Sequence, residues 1–209
     1  MKPAGPIRIL SVDDHPMLRE GIAAVLASEQ DIVLVAEASN GREAVEQFRI
    51  HRPDVTLMDV QMPEVNGIDA IAKIREEFPD AHIIVLTTYT GDAQAARAFK
   101  AGASGYLLKN MVRKELIDTI RTVHSGKKKI PAEIAVEMAQ HHSDDALTDR
   151  EIQVLREVAA GNANKMVAQL LRVSEETVKA HMKSILSKLG ANDRTHAVTI
   201  AVKRGIIEI

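Results

Sequence analysis

The chain predicts two domains of different class: an α/β domain of five β–α repeats, then a small domain built only of helices. Three observations predict this. Five short apolar runs alternate with helical patterns up to His124. From Ala146 onward the patterns are helical without a strand between them. Charge divides at the same place: Met1 to His124 carries 14 Lys/Arg against 18 Asp/Glu, and Ala146 to Ile209 carries 10 against 7. An acidic front and a basic tail suggest different partners, with a polyanion suited to the second.

The apolar runs are Ile7–Val12, Ile32–Ala38, Val55–Val60, His82–Thr88 and Gly105–Lys109. They are short, rich in β-branched residues and mostly continuous, which is the pattern of parallel strands buried on both faces. The first helix starts at Pro16, a residue favoured in a first helical turn, and carries Leu18, Ile22, Val25 and Leu26 on one face. Further helices are predicted over 41–51, 68–78, 93–101 and 114–123. Such alternation requires a parallel sheet with right-handed crossovers, and places a ligand site beyond the carboxyl ends of its strands.

Residues 125–145 change character. "SGKKKIPAEIAVEMAQHHSDD" has a Gly break, three lysines, a Pro and a polar end. It reads as a linker with a tethering helix over 131–140, and Lys127–Lys129 as a solvated run. The domains are then 1–124 and 146–209. In the second, helices are predicted over 149–160, 164–171, 175–189 and 195–204, a four-helix unit. Aromatics make up only 2% of the chain, so both cores must be aliphatic. No apolar run approaches the ~20 residues that cross a bilayer, and no Cys is present to form disulfides or thiolate sites. A cytoplasmic location without membrane association is expected.

Polar residues follow the apolar runs at their carboxyl ends. Asp13 and Asp14 end the first strand, Asp59 the third, Thr87 and Thr88 the fourth, and Lys109 the fifth. Taken singly, each has a plainer role. An Asp can cap the helix at Pro16, Asp59 can open the turn "MPEVNG", and a terminal Lys can be solvated. Together they form a different object. Clustered carboxylates repel, raise one another's pKa values and call for a cation. Carboxylates with a backbone carbonyl suit Mg²⁺. A lysine and a hydroxyl at the same edge add groups that hold phosphoryl oxygens. The set suits an aspartate nucleophile that accepts a phosphoryl group.

"VDDHP", "TLMDVQMPEVNG" and "AGASGYLLK" resemble, in sequence and spacing, the receiver domain of two-component response regulators, over Ile7 to about Val123. The resemblance implies a flavodoxin-like (βα)5 fold. It implies that Asp59 is the phosphoacceptor, and that Mg²⁺ is held by Asp13, Asp14, Asp59 and the backbone carbonyl of Gln61. Thr87 would be the switch hydroxyl, Lys109 its partner at the phosphoryl group, and Tyr106 the aromatic whose rotamer follows Thr87. Tyr89 and Gln61 would tune access of water to the acyl phosphate. The donor would be a sensor histidine kinase. The chain would be no enzyme beyond its own phosphotransfer and slow autodephosphorylation. A Mg²⁺-dependent phosphate-ester hydrolase is the rival, but such enzymes want a second Asp two residues after the nucleophile, where Gln61 stands.

In the tail, Ala168, Leu170 and Leu171 give one helix an apolar face, "RVS" makes a short turn, and Ser174 is a good N-cap. Val178, Met182, Ile185 and Leu189 form a core stripe at helical spacing, with Lys179 and Lys183 on the opposite face. This describes a helix-turn-helix whose second helix enters the major groove. The plainer reading is a small bundle with solvated lysines, or a tail that binds protein. "LTDRE", "AAGNANK", "VSEETVKAHMKSILSKLG" and "NDRTHAV" resemble the LuxR-type DNA-binding domain. Joined to a receiver, this resembles the NarL/FixJ class of transcriptional regulators. The resemblance implies double-stranded DNA as partner and a homodimer on phosphorylation or DNA binding. It places Lys179, Ala180 and Lys183 toward bases and backbone. Thr177, His181 and Lys188 would make phosphate contacts or support the helix. Two positions depart from it: Ala163 replaces the usual Ser or Thr, leaving Asn162 or Asn164 to take over the helix cap, and Met166 replaces a Glu.

Overall fold

The computed structural model describes residues 5–63, 65–88, 91–140 and 146–207. They form two compact units, Met1–Thr88 with Ala95–Ala132, and Tyr89–Gln94 with Glu133–Ile209. In chain order the elements are β1 (Ile7–Val12), α1 (Pro16–Ala27), β2 (Ile32–Ala38), α2 (Gly41–His51), β3 (Val55–Asp59), α3 (Gly67–Glu77), β4 (His82–Thr87), α4 (Asp92–Ala101), β5 (Gly105–Leu108) and α5 (Val112–His124). Then follow α6 (Ala132–Gln140), α7 (Asp149–Ala159), α8 (Asn164–Leu171), α9 (Glu175–Leu189) and α10 (Arg194–Lys203).

The first unit is built on a five-stranded parallel sheet of order β2-β1-β3-β4-β5. The inner strands β1, β3 and β4 are nearly all buried, as their continuous apolar runs require. One face packs Ile9, Leu57, Ile84 and Leu107 against Ile22 and Leu26 of α1 and Leu116, Ile120 and Val123 of α5. On α2 and α3, Asn40 and Asn66 cap the helix starts by accepting from the N–H groups of Glu43 and Asp69.

Element ends differ from the sequence reading in instructive ways. β5 stops at Leu108, and Lys109 opens a 3-10 turn, Lys109–Met111, instead of ending the strand. The start of the stretch read as linker is tied to the sheet: Tyr106 N–H donates to the Lys129 carbonyl, and Lys129 N–H to the Ser104 carbonyl. Lys127 and Lys128 are exposed, as a solvated run requires, and the half-buried Lys129 pairs its ammonium with Asp118 at the surface. Residues 141–145 and Tyr89, and with Tyr89 its expected effect on water access, lie outside the described residues.

In the second unit, Val154, Leu155 and Val158 of α7 pack with Val167 of α8, the α9 stripe Val178, Met182, Ile185 and Leu189, and Ala197 and Ala201 of α10. Among the described residues, no helix is long and apolar enough to cross a membrane.

Candidate functional site

Strand register assembles the first site. β1 pairs Val12 with Met58, so the next residues, Asp13 and Asp59, leave the sheet side by side. β3 pairs Asp59 with Leu86, and β4 pairs Thr87 with Leu108, so Thr87 and Lys109 follow at the same edge. Asp13 and Thr87 are fully buried, and Asp59 is 1% exposed. The Lys109 ammonium lies 2.8 Å from Oδ2 of Asp59 and 2.8 Å from Oδ2 of Asp13. Burial pushes the Asp59 carboxyl above the usual carboxylate range, against the pull of Lys109, and the Asp13 charge adds to the rise. Burial presses the Lys109 pKa down, but its two carboxylates outweigh this and hold it raised.

The chain after Asp59 closes around it. Gln61 N–H donates to Asp59 Oδ1 at 3.1 Å. Gly67 N–H then returns to the Val60 carbonyl, bringing the start of α3 directly beneath the strand end. A Cβ at Gly67 would stand 1.9 Å from the Asp59 carbonyl oxygen, so this position needs glycine for close approach. Reading Gly67 as a turn residue missed that; a Gly at a helix start facing a functional strand end was the available signal.

Tyr106 is 1% exposed, and its side chain hydrogen-bonds that of Thr87. Burial raises its phenol to about 12, with the Thr87 bond and the Arg97 charge opposing. The structure thus joins the expected switch pair directly.

Asp13, Asp14 and Asp59 form an acidic cluster of the kind that binds Mg²⁺, and the structure adds His15, which the sequence reading did not single out. One ligand atom from each of the four lies within 4.8 Å of every other. The carboxylate donors lie just beyond β1 and at the end of β3, and Asp14 Oδ1 is buried without an aligned hydrogen bond. That chemistry fits a hard dication.

The second site is the outer face of α9. Arg172 adopts the left-handed conformation, φ 53°, to end α8, and Ser174 caps α9 by accepting from Thr177 N–H at 3.0 Å. Lys179, Ala180 and Lys183 are exposed opposite the core stripe. Lys179 bonds Glu176 on the same surface at 2.7 Å. Thr177 and His181 are half-buried, and the Thr177 hydroxyl bonds that of Ser174 at 2.8 Å.

Lys188 faces inward, 2.8 Å from Oε2 of the buried Glu151. Of the two roles read for it, this geometry is helix support. Glu151 also closes a capping box with Thr148 at the start of α7 and accepts from the Ser184 hydroxyl at 2.6 Å. The "TDRE" spacing is the capping-box signature, and it was the signal for Glu151.

One expectation is corrected. Ala163 is the N-cap of α8 and no side chain takes over from it. Asn162 instead donates to Glu157, and Asn164 is already the first helical residue. Met166 is exposed, as its position required, and so is Leu170 one turn on.

Comparison with known proteins agrees with this fold. Residues 9–121 match the response regulator receiver domain, and residues 145–201 match the luxR family of bacterial regulatory proteins. The transcriptional regulatory protein LnrK of Bacillus subtilis is 36% identical, covering 96% of this chain and 98% of its own. The response regulator protein VraR of Staphylococcus saprophyticus is 34% identical, covering 97% and 100%. Among solved structures, the response regulator ChrA of a heme-sensing two-component system is 36% identical with a TM-score of 0.57, covering 97% of this chain and 100% of that one. RcsB from Salmonella enterica, bound to a promoter in the presence of the phosphomimetic BeF3-, is 25% identical with a TM-score of 0.72, covering 95% and 99%. With both modules matched and full-length relatives above 30% identity, the chain belongs to the transcriptional response regulators that join a receiver domain to a LuxR-type DNA-binding domain.

Proposed function

We propose that Asp59 accepts a phosphoryl group from a sensor histidine kinase and that this controls dimerisation and DNA binding by the C-terminal domain. The observation that carries the reading is the Lys109 ammonium held between two buried carboxylates, one of them at the end of β3. In the transfer, a carboxylate oxygen of Asp59 forms the new P–O bond as the P–N bond to the donor histidine breaks. Lys109 then exchanges a carboxylate partner for a phosphoryl oxygen. Thr87 leaves its position to donate to the same group, and Tyr106, bonded to it, follows. Gln61 N–H holds Asp59 Oδ1 and the Lys109 ammonium holds Oδ2, so the carboxylate is fixed at the strand end. Mg²⁺, when bound by Asp13, Asp14, Asp59 and the Gln61 carbonyl, supplies charge that stabilises the transferring oxygens. The chain catalyses nothing further than this transfer and its own slow dephosphorylation. It acts in the cytoplasm.

In the second unit, α9 enters the major groove with Lys179, Ala180 and Lys183 leading, and Thr177 and His181 lie near the backbone. The solved RcsB complex with a promoter supports DNA as the partner of this unit. The test is a footprint of the full chain with and without a small phosphodonor such as acetyl phosphate. Operator affinity rises with the donor and does not respond in Asp59→Ala; a donor response retained in that variant overturns the reading. Lys179→Ala with Lys183→Ala reduces the salt dependence of DNA binding.

A further inference from the structure

We propose that Lys129 and its neighbours form a strap on the edge of β5, which opens on phosphorylation and passes the state of Thr87 and Tyr106 to the tether of the second unit. This rests on the phosphoacceptor reading of Asp59. Gly126, at φ 83°, closes the end of α5: its N–H donates to the Val123 carbonyl, and Lys127 N–H to the Thr122 carbonyl. The chain then turns back and runs parallel to β5, bridging Gly105 with Lys129. Lys129 N–H donates to the Ser104 carbonyl at 3.1 Å, and Tyr106 N–H to the Lys129 carbonyl at 2.9 Å. β5, α5 and this segment repeat the β–α–β pattern once more, and Lys129 is an isolated rung of a sixth parallel strand. The ladder stops there for a chemical reason. In this register the next donor on the segment is residue 131, and Pro131 has no N–H to give.

Such a strap is weak by construction. Gly126, Lys127 and Lys128 are exposed, and the Lys129 ammonium meets Asp118 at the surface, where an ion pair contributes little. Tyr106 joins this strap to the phosphorylation site. Its side chain bonds that of Thr87, and its backbone N–H is on Lys129. When Thr87 turns to the phosphoryl group, the Tyr106 ring follows into another rotamer. Which rotamers are allowed depends on backbone φ and ψ, so the backbone of Tyr106 must adjust. The β4 ladder pairs every residue of β5, whereas the strap holds by two hydrogen bonds. The strap therefore gives first. With it closed, α6 begins at Ala132, directly after the rung and Pro131. Opening it adds Lys127 to Lys129 to the tether, up to about 10 Å of extended chain.

The test is residue-resolved amide exchange by NMR on the full chain with Mg²⁺, with and without the phosphoryl mimic BeF3-. The Tyr106 and Lys129 amides are the reporters, since each spends its hydrogen bond on the strap. With BeF3- both are expected to exchange faster by about fivefold or more, the low end of coupling between two sites, while β4 amides keep their rates. Coupling is reciprocal, so variants of the strap shift the affinity for BeF3-, read at the Thr87 amide. Lys129→Pro removes one donor of the rung and raises that affinity by about fivefold. Pro131→Val supplies the missing donor, slows exchange at Tyr106 and lowers the affinity by a similar factor. Both variants binding BeF3- as wild type does shows a strap that is structural only and overturns the inference. BeF3- that shifts the Gln61 and Thr87 amides but leaves exchange at Tyr106 and Lys129 unchanged overturns it too, with the phosphoacceptor reading left standing. BeF3- that shifts neither Gln61 nor Thr87 in wild type overturns that reading and the strap with it.

Discussion

The Lys109 ammonium lies 2.8 Å from Asp59 Oδ2, and the same ammonium lies 2.8 Å from Asp13 Oδ2. Two buried negative charges share one positive one. Removing that cation leaves two uncompensated carboxylates inside the protein, an effect worth about 3–5 kcal/mol in buried pairs. Lys109→Ala is therefore expected to lower the stability of the first unit by that order in the absence of divalent metal. Adding Asp59→Asn to it recovers part of the loss, because one of the stranded charges is gone. Urea midpoints of the two variants check this, and a double variant no more stable than Lys109→Ala counts against it.

The same site sets the sign of a pH effect. Burial raises the Asp59 carboxyl above its value in the unfolded chain, so its contribution to stability is full below about pH 4 and is lost as pH rises through the folded value. At neutral pH the ionised Asp59 opposes folding. Asp59→Asn alone, in chelator, should raise the melting temperature at pH 7 and narrow its advantage near pH 4. A melting temperature unchanged or lower at pH 7 refutes this account.

Gly67 and Gly21 predict opposite outcomes for one substitution. An added Cβ at Gly67 meets the Asp59 carbonyl oxygen at 1.9 Å and the Val60 Cα at 2.9 Å, both rigid backbone. Gly67→Ala is expected to destabilise the first unit by about 1–3 kcal/mol and to slow phosphorylation by a small donor, since Asp59 must move. Gly21, in the middle of α1, has nothing within 4 Å of its built Cβ. Gly21→Ala is expected to stabilise by roughly 0.5–1 kcal/mol through helix propensity alone. Thermal unfolding of the pair distinguishes close approach from a general preference for glycine.

How much of this could be read from the chain follows from the physics of each residue. Asp13, Asp59 and Thr87 were legible because a buried strand in a parallel sheet must end where its apolar run ends. Lys109 was legible in place but not in form, since nothing in "GYLLKNM" marks a 3-10 turn. His15 was not singled out because nothing in "VDDHP" marks which way its ring turns, and in the fold it turns back onto Asp13 and Asp14. Lys188 had two readings that differ only in which way a helix-end lysine points. Asn162 was misread because a cap requires reach in three dimensions, and its amide is taken up by Glu157.

Ala163 leaves a free energy gain open. It stands at the N-cap of α8 with φ −70° and ψ 156°, the extended geometry from which a Ser side chain reaches the helix N–H groups. Ala163→Ser should stabilise the second unit by about 0.5–2 kcal/mol without altering its fold. Hydrogen exchange at the first turn of α8 slows if the cap forms, and unchanged exchange there refutes it.

Glu151 ties α7 to α9 and gives the second unit its own acid sensitivity. Burial pushes its carboxyl up, but Lys188, Ser184 and Thr148 outweigh burial and hold it at about 2, against 4.5 unperturbed. A carboxylate depressed on folding contributes stability that is present above the unfolded value and lost as pH falls through the folded one. The window is thus pH 4.5 down to about 2, and the shift corresponds to roughly 3 kcal/mol. Glu151→Gln keeps the shape and removes the charge. It should lower the protection of α7 and α9 amides at pH 7 by a similar amount and flatten its change across the acid window. The contrast with Asp59 is one of surroundings: a single lysine is shared there by two buried acids, whereas Glu151 has a lysine, a serine hydroxyl and a threonine N–H to itself. If protection in the variant still falls steeply from pH 4.5 to 2, the acid sensitivity of this unit belongs to another group.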